Sequence, residues 1–384
     1  MIPLSLYIHI PWCEKKCPYC DFNSHLANTE INEPDYVNAL LADLKADLTL
    51  FSQSIQDRTL SSIFIGGGTP SLFSEKSISA ILDGVAKQIA FSENIEITLE
   101  ANPGSAEAGK FQGFQQAGVN RLSIGVQSFN QTHLKALGRI HSNKEAVLAA
   151  GFAVEAGFEN FNLDLMFGLP SQTLEQALSD VKQAIELQPS HLSCYQLTIE
   201  PNTLFHHQPP ITPNDETLWE MQNDIQSALA LENYQQYEVS AYSLINRQCK
   251  HNLNYWQFGD YLGIGAGAHG KITNVNGQVI RNWKIKHPNS YLQRATDEKP
   301  FSGANNEVKQ DQLPFEFMLN ALRLSDGFKL ELFEQRTGLP LSTIEKQLSK
   351  HQQQNLISIE AGELLLKKRG KSMLNELLQD YLPD

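Results

Sequence analysis

Cys13, Cys17 and Cys20 fall within the stretch CEKKCPYC, spaced C-x3-C-x2-C, directly after the apolar run around YIHIPW. Clustered thiolates are soft ligands that suit zinc or an iron–sulfur cluster. Structural zinc normally takes four protein ligands, and no fourth Cys or His stands at a familiar spacing. His9 and His25 are close in sequence but form no recognised zinc pattern. A [4Fe–4S] cubane held by three thiolates keeps one iron open, and an open iron implies chemistry or a small-molecule ligand. The competing reading is a zinc knob completed by a distant ligand such as Cys194, Cys249 or a histidine. The chain has 5 cysteines, three clustered and two isolated. That odd count does not fit a disulfide framework and points to a reducing, cytosolic compartment.

The elements around the triplet read as alternating strands and helices. Leu4 to Ile10 is a strand candidate, followed by a helix over Asp35 to Leu50. Ser62 to Ile65 is a second strand and runs into Gly66-Gly67-Gly68-Thr69-Pro70, with a helix over Ser77 to Ile89. Ile95 to Glu100 alternates with period two, as does Arg121 to Gln127, where Leu122, Ile124 and Val126 oppose Ser123, Gly125 and Gln127. Asn162 to Met166 and His191 to Ile199 complete six strands. This βα repetition predicts an α/β fold with a parallel sheet, open or closed into a barrel. Function in such a fold gathers at the C-terminal strand ends. Gly67, Gly68, Thr69, Glu100, Gln127, Arg139 and Asp164 stand at or near those ends, as a polar ring around one mouth.

After Pro213 the pattern changes. Asp215 to Glu232 reads as a helix, Asn252 to Lys271 is rich in aromatics and glycine, and His287 to Asp311 reads as a polar surface connection. From about Leu313, helices are followed by LISIEAGELLLKKRG, a two-stranded wing turning at Ala361-Gly362. The expected organisation is a large unit over 1–290 and a small winged-helix-like domain over 313–384. The net charge of −13 disfavours a nucleic-acid binder, so the small domain reads as an accessory module. No apolar run is long enough for a membrane span, and the N-terminus does not read as a secretory signal.

The C-x3-C-x2-C motif after a first strand resembles the cluster motif of the radical S-adenosylmethionine superfamily. The resemblance implies a partial or full parallel βα barrel and a [4Fe–4S] cluster on Cys13, Cys17 and Cys20. It further implies that the open iron takes the amino and carboxylate groups of S-adenosylmethionine, whose reductive cleavage yields a 5′-deoxyadenosyl radical. The stretches LYIHIPWC, GGGTPS, RLSIGVQSF, LGRIH and LDLMFGLP together resemble the oxygen-independent coproporphyrinogen III oxidase group. By that resemblance Tyr7, Tyr19, Gly67, Gly68, Thr69, Glu100, Gln127, Arg139 and Asp164 contact S-adenosylmethionine.

Two branches of that group differ at the position of Phe22, ahead of the first cysteine and in a further motif. The oxidases resemble C-x3-C-x2-C-x-C, and the position of their extra cysteine is Phe22 here. They also carry an N-terminal extension, whereas 12 residues precede Cys13 in this chain. The heme chaperone branch has the short N-terminus and a motif H-N-x-x-Y-W, present as His251-Asn252-Leu253-Asn254-Tyr255-Trp256. That resemblance implies heme binding with His251 as a candidate iron ligand, and heme delivery to heme-requiring respiratory enzymes. It also implies a monomer–dimer equilibrium and peripheral membrane contact. Cys249 is a competing soft ligand, and His206-His207 reads as a solvated loop pair. Oxygen-independent coproporphyrinogen oxidation is the alternative activity.

Overall fold

A computed structural model of the chain describes residues 1–27, 31–104 and 108–383. Six strands, β1 (Leu4–Ile10), β2 (Leu60–Gly67), β3 (Phe91–Ala101), β4 (Arg121–Gln127), β5 (Phe161–Phe167) and β6 (His191–Gln196), pair in parallel in chain order. Helices Glu33–Leu50, Glu75–Ala86, Asn143–Glu155 and Leu174–Glu186 lie between them in the chain. Two of these helices start at capping boxes, Ser142 with Glu145 and Thr173 with Gln176, each satisfying otherwise orphaned backbone donors. Ile8, Ile63, Ile65, Leu99, Leu122, Ile124 and Leu163 are fully buried in the main core. On β4 the opposite face, Ser123, Gly125 and Gln127, lines the barrel interior.

The sheet extends at both sides. β7 (Gln235–Glu238) and β8 (Ala241–Ser243) add antiparallel strands beyond β6. On the other side β9 (Asp260–Ile264) pairs in parallel with β1, Leu4 opposite Asp260. β10 (His269–Thr273), β11 (Val279–Lys284) and β12 (Ser302–Glu307) then continue antiparallel. The order is β12-β11-β10-β9-β1-β2-β3-β4-β5-β6-β8-β7, so β12 and β7 do not pair with each other and the barrel is open, while β7 is bridged at Glu238 to Leu324. The stretch 287–311, expected as a surface connection, instead holds the helix Pro288–Thr296 and the edge strand β12. Its sequence SGANNE is polar because an edge strand is largely solvated on both faces.

Two buried charge groups tie this arm to the barrel. Asp260 at the start of β9 takes Arg58 at 2.9 Å and Lys271 at 2.9 Å, all out of solvent. Lys284 at the end of β11 takes Asp43 at 2.7 Å and Asp47 at 2.6 Å, both on the helix Glu33–Leu50. Each pair of like charges is tolerable in low dielectric only because an opposite charge lies between its members.

The C-terminal helices Leu313–Ala321, Glu331–Thr337 and Glu345–Gln353 pack against a three-stranded sheet of Phe328–Lys329, Glu363–Leu366 and Ile357–Glu360. The hairpin turns at Ala361 (φ 51°) and Gly362 (φ 80°), a left-handed pair suited to a tight two-residue turn. Phe317, Phe333, Ile344 and Leu364 form its core, which also takes in Phe258 and Val279 from the β9–β11 region.

Candidate functional site

The cysteine loop leaves β1 and returns to it. Trp12–Cys13 pairs in parallel with His25–Leu26, and the His25 amide donates to the Pro11 carbonyl at 2.7 Å. Within the loop the Cys20 amide donates to the Cys17 carbonyl at 3.2 Å. The end of β2 forms its seat: the Gly68 amide donates to the Ile10 carbonyl and the Thr69 amide to the Trp12 carbonyl, both at 2.7 Å. A Cβ on Gly68 would lie 2.4 Å from the Trp12 oxygen, so only glycine allows this approach. At the loop's far end, Asn23 donates its side-chain amide to the Ala266 and Lys286 carbonyls, each at 2.8 Å, linking the loop to the segments after β9 and β11.

The loop stands over a cavity of about 660 Å³ inside the barrel. Cys13, Cys17, Cys20 and Tyr19 line it from the loop. Gly67, Gly68 and Thr69 line it from β2 and its turn. Glu100, Gln127, Arg139 and Asp164 close the ring from the next strands and the segment after β4. Glu100 belongs to β3 itself and Gln127 is the last residue of β4, in a left-handed conformation at φ 67°. The cavity thus gathers eleven of the thirteen residues singled out from the sequence, Tyr7 and His251 being the exceptions. Cys194 and Cys249, the candidate fourth ligands of a zinc knob, do not line the cavity. Cys194 is part of the main core, and Cys249 donates its thiol to Glu96 at 3.5 Å. Of the histidines that line the cavity, His191 has both nitrogens engaged, by Asn162 and Tyr237, and His141 has its Nε2 on the Val126 carbonyl. The three soft thiols of the loop fit an iron–sulfur cluster with one open iron better than four-coordinate zinc. Burial raises the pKa of the Cys13 and Cys20 thiols, so iron must displace those protons as it binds.

The ring is cross-linked by a residue the motifs did not single out. Asn102 donates to the Thr69 hydroxyl at 3.1 Å and accepts from Arg139 at 2.7 Å. Arg139 also donates to the Gly125 carbonyl at 2.6 Å, and its other terminal nitrogen lies 4.0 Å from the Cys17 sulfur. Asn102 stands just past the end of β3, so its place at a C-terminal strand end was the signal for it. Glu100 accepts from the Gly67 amide at 3.0 Å. Burial, then the neighbouring charge of Asp164, push the Glu100 carboxyl up to about 7. Asp164 accepts from Ser123 at 3.0 Å and Asn162 at 2.8 Å, and burial raises its pKa as well.

Tyr7 lies behind the ring, its hydroxyl 2.9 Å from Nδ1 of His9 and its ring stacked on Phe64, which does line the cavity. His251 is 1% exposed. Its Nδ1 lies 3.0 Å from the Ser62 hydroxyl and its Nε2 3.0 Å from the Tyr255 hydroxyl. Burial holds its pKa down at about 3. Both nitrogens are engaged, so the expected iron ligand has no lone pair facing the cavity in this structure. Its neighbour Asn252 is the member of the H-N-x-x-Y-W motif that lines the cavity. The physical reason is packing: the helix Lys250–Trp256 lies against β2 and turns His251 inward.

Residues 7–184 match the Radical SAM superfamily and residues 308–372 the HemN C-terminal domain. The chain is 53% identical over 384 residues to the Heme chaperone HemW of Haemophilus influenzae, covering all of this chain and 98% of that one. It is 49% identical over 382 residues to the Heme chaperone HemW of Escherichia coli, covering all of this chain and 99% of that one. Among solved structures, coproporphyrinogen III oxidase (HemN) from Escherichia coli superimposes with a TM-score of 0.82 at 22% identity, over 99% of this chain and 90% of the other. At that identity the likeness shows the shared fold.

Proposed function

The chain belongs to the heme chaperone HemW family of radical SAM proteins, and from that premise we propose that it binds heme and passes it to heme-requiring respiratory proteins. In this reading Cys13, Cys17 and Cys20 hold a [4Fe–4S] cluster. Tyr19, Gly67, Gly68, Thr69, Glu100, Gln127, Arg139 and Asp164 form the S-adenosylmethionine site, with Tyr7 behind it. A cluster on three thiolates supplies an electron and one coordination position for the sulfonium compound. The observation that carries the reading is the bonded chain from Thr69 through Asn102 to Arg139 beneath the Cys17 sulfur. Polar groups gathered beside the three thiols in this way support a ligand site next to a cluster held there.

Heme contact is assigned to the apolar rim of the same cavity. Phe22 and Ile140 both line it and remain 60% and 61% exposed. A flat porphyrin face gains by covering such side chains. Phe22 then has a use that a cysteine at that position would not serve. Work in a reducing cytosol, a monomer–dimer equilibrium and transient contact with the membrane surface belong to the same proposal. No described helix is long and apolar enough to cross a membrane.

The test is anaerobic reconstitution with iron and sulfide, followed by heme titration and transfer to a heme-free respiratory protein. The reading expects iron and sulfide in the ratio of a [4Fe–4S] cluster, heme binding, and activation of the recipient. Absence of heme binding overturns it. Efficient conversion of coproporphyrinogen III to protoporphyrinogen IX by the reduced protein establishes the oxidase activity instead.

A further inference from the structure

Arg121, the first residue of β4, lies inside the barrel and lines the cavity at 2% exposure. A guanidinium carries five N–H donors. Among the described residues none of them makes a hydrogen bond, no carboxylate lies within ion-pair distance, and Nε is buried without any partner. The surrounding polar groups are otherwise committed. His191 donates through Nδ1 to the Asn162 carbonyl oxygen at 2.7 Å and accepts at Nε2 from the Tyr237 hydroxyl at 2.8 Å. Ser193 donates to Asn162 at 3.0 Å, and Asn162 donates to Ser123 and Asp164. Glu96 accepts from the His251 amide and the Cys249 thiol. Arg121 is thus a buried strong donor facing the cavity whose hydrogen bonds are unmade among the described residues.

We propose that Arg121 is the anchor of a carboxylate subsite at the floor of the cavity, below the polar ring, for a ligand that carries a single carboxylate group into the barrel. A buried donor without a partner is costly, and a guanidinium is costlier still. A carboxylate from a ligand satisfies its fork with two parallel hydrogen bonds. Glu96 and Asp164 lie in the electrostatic neighbourhood of Arg121 without bonding to it. Their charges oppose a doubly charged phosphate and leave a monoanion as the matching class. The cavity volume of about 660 Å³ admits a small ligand. The inference does not require the cluster or heme, because it rests on Arg121 and its neighbours alone.

The test uses the full-length protein and propionate as the probe, with propionamide as its neutral counterpart, followed by saturation-transfer NMR. The inference expects saturation of propionate and not of propionamide, and at least about tenfold weaker propionate binding by Arg121→Met. Arg121→Lys, which keeps the charge and loses the fork, should fall between the two. Because Arg121 has no direct partner, Arg121→Met should melt within a few degrees of the parent without ligand. Equal binding of propionate and propionamide, unchanged propionate binding by Arg121→Met, or collapse of both variants on loss of the guanidinium overturns the proposal; the last result identifies Arg121 as a structural counter-charge. Cluster content and heme binding, measured on the same samples, report separately on the function proposed above.

Discussion

The hydroxyl of Tyr7 lies 2.9 Å from Nδ1 of His9, and Nε2 of the same ring lies 2.9 Å from the Asn23 carbonyl oxygen. A carbonyl only accepts, so Nε2 carries the proton and Nδ1 accepts from Tyr7. Burial keeps the ring neutral, with its pKa held down at about 4. His9 is therefore a rigid strut between the first strand and the far end of the cysteine loop.

Replacing that strut should loosen the loop. His9→Ala removes the donor to Asn23 and the acceptor of Tyr7, at a cost of about 2–3 kcal/mol in unfolding free energy. Iron retention against a chelator after reconstitution should weaken about tenfold, as for other supporting contacts of metal ligands. Wild-type iron retention in the variant would show that the loop is held elsewhere.

Gly68→Ala addresses the other side of the loop. The new Cβ would sit 2.4 Å from the Trp12 carbonyl oxygen and 2.9 Å from that of Ile10, the two backbone acceptors that seat the turn. Backbone must shift, at a cost of roughly 1–3 kcal/mol. The far-ultraviolet circular dichroism should be unchanged while cluster content falls, because the displaced segment is the seat and not a strand of the barrel.

His251→Ala separates heme ligation from packing. Both imidazole nitrogens are engaged by hydroxyls of Ser62 and Tyr255. Truncation leaves those hydroxyls unpaired and a void beside Phe64, whose ring lies 5.2 Å away. A loss of about 2–4 kcal/mol in urea unfolding is expected. The heme absorbance spectrum should stay that of the parent. A spectrum that loses its histidine-ligated character in the variant would mean that His251 swings out to reach iron.

Glu100 predicts a pH dependence of the cluster-free protein. Its carboxyl is raised from 4.5 to about 7, first by burial and then by Asp164. Between those values the folded chain binds the proton and the unfolded chain does not, so this group's contribution to stability is largest at low pH and is lost as pH rises through about 7. Glu100→Gln removes the penalty of ionising a buried acid. Its stability relative to the parent should grow between about pH 4.5 and 7 and then level off, by on the order of 3 kcal/mol. A difference that is flat with pH in chemical denaturation would show that Glu100 titrates normally.

What the sequence by itself determined is local or periodic. Three thiols within eight residues bring the ligands onto one loop, whatever surrounds them. The alternation of Leu122, Ile124 and Val126 with Ser123, Gly125 and Gln127 divides core from cavity because successive strand residues face opposite sides. The wing turning at Ala361-Gly362 was legible for the same reason, since the hairpin is built from adjacent residues.

Tertiary structure alone decided the rest. β9 is a parallel partner of β1 although Leu4 and Asp260 are 256 positions apart, and nothing within TYR-LEU-GLY-ILE at 261–264 names that partner. The stretch 287–311 looked like a connection because an edge strand keeps polar residues on both faces. His251 carries the same letters whether it faces heme or Ser62, and only the packing of its helix on β2 turns it inward. Arg121 at the head of a strand shows no sign of burial in the sequence, and only the curling of the sheet encloses it. Spacing along a chain specifies which groups are neighbours in one element, whereas burial and unmet hydrogen bonds depend on contacts between elements far apart in sequence.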